Sequence, residues 1–199
     1  MKRSTTPLLG YALLGLLHQK PRSGYDLRKI FAETAMGNYS SSPGAIYPAL
    51  QRLDSDKLIT GRIEDSGGMR RRCVYRLTAT GVVELKLWLK RPIASADVKR
   101  GAAELMLRFS FMEKALGVDA CIHFLRSFAA ALTPYIAELE GFLAAQYAQM
   151  PLSGRLALEN GIRGYRGMQD WTQYALQAFL DLKSAARNRK PPTSKGGRK

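Results

Sequence analysis

Ser42-Pro43-Gly44-Ala45-Ile46-Tyr47-Pro48-Ala49-Leu50-Gln51-Arg52-Leu53 is the stretch whose reading decides the fold. Ser42 and Pro43 are a helix cap followed by a first-position proline, a start that sacrifices no internal hydrogen bond. Ile46, Ala49, Leu50 and Leu53 then recur at helical spacing and mark an inward stripe. The opposite face collects Ala45, Pro48, Gln51, Arg52 and Ser55, all small or polar. Pro48 opposes this reading, because a proline inside a helix removes one backbone bond and kinks the chain.

Upstream, Thr6-Pro7 supplies a cap and a first helical residue. Leu8, Leu9, Ala12, Leu13, Leu16 and Leu17 then pair every four residues, predicting a helix that ends at Pro21. Ser23-Gly24-Tyr25-Asp26 opens a second helix, with Ser23 as the cap and Asp26 at the reciprocating position. Leu27, Ile30, Phe31 and Thr34 face inward, and Gly37-Asn38 closes the helix. Downstream the period changes. Leu58 to Ile63 is an extended run that includes Arg62, and Asp65-Ser66-Gly67-Gly68 is turn chemistry. Arg70, Arg71 and Arg72 follow, and Val74, Arg76 and Thr78 then alternate with Tyr75 and Leu77. The expectation is a two-stranded hairpin with a basic tip. A fourth helix is expected from Thr78 or Thr80 to Lys90, with Leu85 and Trp88 or Leu89 inside.

Three helices, a hairpin and a helix form a winged helix-turn-helix. Its second helix, with Gln51 and Arg52 outward, fits a major groove about 12 Å wide. The wing arginines suit phosphates or a minor groove.

Charge agrees. The chain has 199 residues and a formal net charge of +15. Residues 1–92 carry 16 basic and 7 acidic side chains, residues 93–182 carry 8 and 9, and residues 183–199 carry 7 and none. Two basic ends flank a neutral middle, which is an anion-binding module joined to a part that binds no anion. The tail from Lys183 holds Pro191, Pro192, Gly196 and Gly197 and reads as disordered. Hydrophobic residues make up 46%, enough for a packed core. No uninterrupted apolar run reaches the ~18–20 residues of a membrane span. The N-terminal apolar stretch lacks a cleavage site and does not read as a signal peptide. Two cysteines, Cys73 and Cys121, make neither a metal cage nor a disulfide framework, and both read as buried thiols in a reducing compartment.

Catalysis finds no constellation. His18 and His123 are the two histidines, with no third ligand near either, and no nucleophile elbow, phosphate loop or dinucleotide fingerprint occurs. No cofactor or metal is expected. The competing reading is a general basic RNA- or DNA-binding protein without operator specificity. It explains the charge, but not the small polar helix face or the neutral half, and no aromatics cluster near Arg70–Arg72 for RNA stacking.

In the second half, Asp97 caps a helix in which Ala102, Leu105, Met106, Phe109 and Met112 recur. Leu125, Phe128, Leu132, Tyr135, Leu139 and Phe142 are spaced as a heptad seam, with a bend expected at Pro134. After Met150-Pro151-Leu152-Ser153, a last helix carries Leu158, Ile162, Tyr165, Met168, Thr172, Leu176 and Phe179. Two long amphipathic helices joined by a short turn predict an antiparallel pair, and a partner chain is a natural source of further burial. The fold class is mainly α with a small β-hairpin wing: a winged helix-turn-helix over 1–92, a helical dimerisation domain over 93–182, and a basic tail over 183–199.

Gly24-Tyr25-Asp26-Leu27, Ser42 through Leu50, Arg52-Leu53, Leu58-Ile59 and Tyr75-Arg76-Leu77-Thr78-Ala79-Thr80-Gly81 resemble the PadR family of bacterial transcriptional regulators. Leu14-Gly15-Leu16-Leu17 fits the same pattern, as does a proline at the position of Pro48. The resemblance implies a dimeric winged-helix repressor, cytoplasmic and associated with the bacterial nucleoid, that binds operator DNA and responds to a small molecule. It places Ser41, Ser42, Gly44, Ala45 and Tyr47 at the DNA surface, with Tyr25 and Lys29 contacting the DNA backbone. It assigns dimerisation to the helical half, to Leu125, Phe128, Leu132, Tyr135 and Leu139 and to Leu158, Ile162, Tyr165 and Leu176. Trp88, Met106, Phe109 and Trp171 are its candidates for an effector pocket.

Overall fold

The computed structural model describes residues 6–39, 43–65 and 71–188. The chain divides into two compact units.

The first unit is built around α1 (Leu8–Gln19), in which every residue from Gly10 to Leu17 is buried. A helix apolar on all sides sits at the centre of a core rather than along its edge, so the expected stripe understated it. Pro7, not Thr6, is its N-cap, and no side chain caps it. β1 (Arg22–Ser23) then leads into α2 (Gly24–Glu33). Here the expected capping box is present: Asp26 N–H donates to Ser23 Oγ at 3.1 Å, and Ser23 N–H donates to Asp26 Oδ2 at 3.1 Å. α2 ends at Thr34, earlier than the Gly37-Asn38 stop. The Thr34 hydroxyl donates to the Ile30 carbonyl at 2.7 Å, and a 3₁₀ turn takes up Ala35–Tyr39.

A second 3₁₀ turn, Pro43–Ala45, precedes α3 (Ile46–Ser55). The helix proper therefore starts three residues later than the Ser42-Pro43 signal. This resolves the objection to Pro48. It is the third residue of α3, within the turn whose N–H groups have no partner inside the helix. β2 (Ile59–Asp65) and β3 (Arg71–Leu77) pair antiparallel with Gly61 opposite Tyr75. β1 adds to the other edge of β3 through Arg22 opposite Tyr75, so the hairpin becomes a three-stranded sheet of order β1-β3-β2. A two-residue strand carries no periodicity, which is why the sequence hid it. α4 (Ala79–Leu89) is capped by Thr78, whose Oγ1 accepts from Gly81 N–H at 3.0 Å.

The boundary drawn at 92/93 is corrected by α6 (Ala103–Leu116), most of which belongs to the first unit. Phe111 is the reason. A Cβ added to Gly15 of α1 would lie 2.2 Å from the Phe111 ring, so α6 approaches α1 to a distance that only glycine permits. The Lys114 ammonium donates to the Gln19 carbonyl at 2.6 Å. Arg108 is 2% exposed and donates to the carbonyls of Leu89 and Arg91 just beyond the end of α4. Those acceptors have no partner within α4, and a buried cation here satisfies them. The residues transferred, 103–115, hold two acidic and two basic side chains, so the charge division is unchanged.

The second unit comprises α5 (Ser95–Lys99), α7 (Val118–Gln146) and α8 (Leu152–Asn188). Asp97 does not start a long helix. It sits in short α5, accepting from Ala94 N–H at 2.8 Å. Gly117, with φ +86°, turns the chain into α7 in a backbone region that favours glycine. α7 and α8 are antiparallel, as expected. Lys183 pairs with Asp119 at 2.5 Å at one end, Arg166 pairs with Glu140 at 2.8 Å, and Arg155 stacks over Tyr147 at the other end. Tyr135 and Tyr165 meet edge to face at 5.0 Å. α7 continues through Pro134, which is exposed, so the carbonyl it leaves unpaired can meet water. In length and composition α7 also matches a membrane span, although the run of apolar residues is interrupted. Its apolar side chains Cys121, Leu125, Phe128 and Leu132 are buried within the chain. The tail reading is corrected for Lys183–Asn188, which form the last turns of α8. The remainder, 189–199, lies outside the described residues.

The α2 cap yields a first prediction. The hydrogen bond from Ser23 Oγ is the main influence holding the Asp26 carboxyl below its ordinary pKa. Burial opposes it, and the Ser23 N–H, Arg72 and Arg22 add to it. A depressed carboxyl stabilises the fold above its unfolded pKa and loses that contribution as pH falls through the native value. Asp26→Ala is expected to cost about 1 kcal/mol at neutral pH and little in acid. Thermal melts of wild type and variant should therefore converge as pH is lowered, and a pH-independent gap would reject the cap as its origin.

Candidate nucleic-acid interface

α3 presents the polar face anticipated for it. Ile46, Ala49, Leu50 and Leu53 are buried, whereas Gly44, Pro48, Gln51 and Arg52 are exposed and Ala45 is half-buried. Tyr47 is 46% exposed, so its ring is neither core nor free surface. Tyr25, on the first turn of α2, is 54% exposed, and the Arg28 guanidinium lies 5.7 Å from its ring centroid. Lys29 is exposed and pairs loosely with Glu33 at 3.9 Å.

Strand register sorts the wing. Arg62, Arg72 and Arg76 share one face of the β2–β3 ladder, together with Glu64. Glu64 accepts from Arg76 at 3.0 Å, which leaves Arg62 and Arg72 as the exposed wing cations with no ion pair among the described residues. Gly61, Ile63, Cys73 and Tyr75 share the other face. Ser41, Ser42 and Arg70 lie outside the described residues, as does the side chain of Arg71.

Tyr25, Tyr47 and Arg72 converge. With Ser23, Gly24, Cys73 and Tyr75 they line a cavity of about 200 Å³ between the start of α2, the start of α3 and β3. Gly24 sets its width: a Cβ there would lie 2.8 Å from Tyr47 Cε1. The Tyr75 hydroxyl is pushed up to about 12, mainly by burial and then by its hydrogen bond with Cys73, so it remains a donor across the working range. Sequence reading missed Gly24, Cys73 and Tyr75 here. The alternation along β3 puts Cys73 and Tyr75 on one side but does not say which element that side meets. Cys73, read as buried, is exposed.

The other predicted groups stand elsewhere. Trp88 is 2% exposed in the core of the first unit, stacked on Tyr11 at 4.4 Å, with its Nε1–H donating to Glu104 at 3.1 Å. Met106 and Phe109 are half-buried on α6, and Trp171 is half-buried on α8. Leu125, Phe128, Leu132 and Ile162 are buried within this single chain, while Tyr135, Leu139, Leu158, Tyr165 and Leu176 are half-buried. Phe142, the last seam residue, is 54% exposed. Among the described residues, no group of three His, Cys, Asp or Glu side chains is arranged to hold a metal.

A three-helix core, a polar helix face and a basic two-stranded wing define a winged helix-turn-helix protein. Residues 13–87 match the model of the transcriptional regulator PadR-like family, and the chain belongs to that family through this segment. It is 38% identical over 84 residues to the negative transcriptional regulator PadR of Bacillus subtilis, covering 42% of this chain and 46% of that protein. It is 41% identical over 59 residues to the transcriptional regulator YqjI of Escherichia coli, covering 30% of this chain and 28% of that one. The chain thus spans less than half the length of these curated relatives. The crystal structure of Bacillus subtilis PadR in complex with operator DNA is 27% identical, with a TM-score of 0.41, covering 86% of this chain and 98% of that one.

Proposed function

We propose that this protein is a transcriptional regulator that binds a specific duplex DNA site through α3 and the wing, as a homodimeric, effector-responsive repressor in the bacterial cytoplasm. The observation that carries the reading is the exposed polar face of α3, with Gln51 and Arg52, beside a wing whose Arg62 and Arg72 are exposed. A helix of that composition has nothing to bury. Its partner must be polar, and the +9 net charge of residues 1–92 makes that partner an anion. The repressor role rests on the family and on the named role of the Bacillus subtilis relative.

The dimer reading shifts with the structure. The inner seam is occupied by the chain itself, so the surface left for a second copy consists of Leu156, Tyr174 and Leu182 on α8 with Phe142 on α7, each about half exposed or more. For the effector, Met106, Phe109 and Trp171 remain candidates, whereas Trp88 is committed to the core.

The test is a gel-shift titration against a palindromic duplex selected from a randomised pool and against RNA of equal length. Tighter binding to the duplex is expected, with log affinity falling against log salt by about 0.9 for each neutralised phosphate. Equal affinity for the RNA, or a salt slope near zero, would overturn the reading. So would unchanged binding when Arg70, Arg71 and Arg72 are all replaced by alanine.

A further inference from the structure

We propose that the cavity lined by Tyr25, Tyr47, Arg72, Cys73 and Tyr75 is a seat for one phosphate of the bound nucleic acid, and that Gly24 is the positioning residue that keeps it open. This rests on the DNA-binding reading and specifies where one backbone contact is made. Three features favour an anion over a second apolar packing surface.

The first is the donor set. Arg72 brings a guanidinium, and Tyr25, Tyr47 and Tyr75 bring hydroxyls, from three different elements to one concavity. Hydrogen bonds between a guanidinium and phosphate are among the strong, charge-assisted kind. The second is size. About 200 Å³ holds six or seven waters at about 30 Å³ each, room for a phosphate group but not for a base pair. The third is the nearest acid. Asp26 is within electrostatic reach of Arg72, but its Oδ2 already accepts from Ser23 N–H at 3.1 Å and from Ser23 Oγ at 2.7 Å. The capping box thus engages the one carboxylate that would compete with an incoming phosphate. Gly24 acts through Tyr47. Any side chain at 24 would press on Cε1, and the ring would swing across the cavity or away from it.

Cys73 makes the seat testable in the unaltered protein, because it is exposed in the cavity lining while Cys121 is buried. Full-length protein would be labelled at Cys73 with one of two thiosulfonate reagents of similar size. One leaves a sulfonatoethyl group, the other a trimethylammonioethyl group. Binding is then measured to the selected palindromic duplex. The anionic label is expected to weaken binding by about tenfold or more and to lower the salt slope by about one phosphate. The cationic label is expected to weaken it clearly less. Equal losses from both labels would mean simple obstruction, and no loss from either would mean an empty cavity; each overturns the proposal.

A second arm uses Gly24→Ala and Tyr47→Phe. Both are expected to reduce affinity while leaving the thermal midpoint near that of wild type. Singly placed neutral methylphosphonates along the duplex should reveal one position whose penalty is much reduced in Arg72→Ala. Absence of any such position would also overturn the seat. Failure of the unlabelled protein to bind any selected duplex would instead count against the DNA-binding reading itself, so the two failures are distinguishable.

Discussion

Trp88→Ala is expected to destabilise the first unit by about 3–5 kcal/mol, the largest effect of any single truncation considered for this protein. The indole is 2% exposed, lies parallel to the Tyr11 ring at 4.4 Å with a 4° interplanar angle, and spends its one donor on Glu104. Removing it opens a large void among α1, α4 and α6, and it unpairs a carboxylate whose remaining close cation is Arg91 at 3.6 Å. The same Tyr11 is anchored from its other end, its hydroxyl donating to Glu84 at 2.7 Å. The void therefore cannot close by a simple shift of that ring. Trp88→Phe is expected to cost much less, because it keeps the stacked ring and loses only the indole N–H. Urea titration of the two variants by circular dichroism checks the difference. A loss below about 1 kcal/mol for Trp88→Ala would show that the ring fills a ligand site rather than the core.

Arg108→Met is expected to cost about 2–4 kcal/mol. The methionine keeps the stem and most of the volume, so the loss isolates the guanidinium. Without it, the carbonyls of Leu89 and Arg91 at the end of α4 lose a buried donor. The penalty for an unsatisfied buried acceptor exceeds the modest net worth of an ordinary hydrogen bond. Each unit holds one tryptophan, so a Trp171→Phe background lets Trp88 fluorescence report on the first unit alone. In that background the Arg108→Met midpoint should fall by several degrees or more. An unchanged midpoint would mean that water replaces the guanidinium and that α6 is not held to α4 by it.

Both predictions depend on α6, and α6 marks where sequence reading stopped. Its apolar residues at Leu105, Phe109 and Met112 had the right period but no address. Periodicity states that a helix has a buried side, not which helix covers it. Gly15 held the missing signal, since a glycine in the middle of an apolar helix invites close approach. Only the Phe111 ring beside it shows what approaches. Arg108 escaped for a related reason: a lone arginine on an amphipathic helix reads as solvated, and nothing local reveals two free carbonyls on another helix.

What the sequence determined by itself is the order and kind of the elements in the first ninety residues. Caps, breakers and apolar spacing are local, so the Ser23–Asp26 box, the inward stripe of α3, the change of period at Leu58 and the start of α4 at Thr78 could be read without contacts. The division of charge was equally local. Tertiary structure alone decided matters that depend on residues far apart in the chain. It added β1 to the sheet, moved α6 into the first unit, occupied the supposed dimer seam with the chain's own helices and placed Trp88 in the core. It also brought Gly24, Tyr47, Arg72, Cys73 and Tyr75 around one cavity. Those residues come from α2, α3 and β3. A strand's alternation and a helix's period each fix a face, but the meeting of faces is set by packing, which no single element encodes.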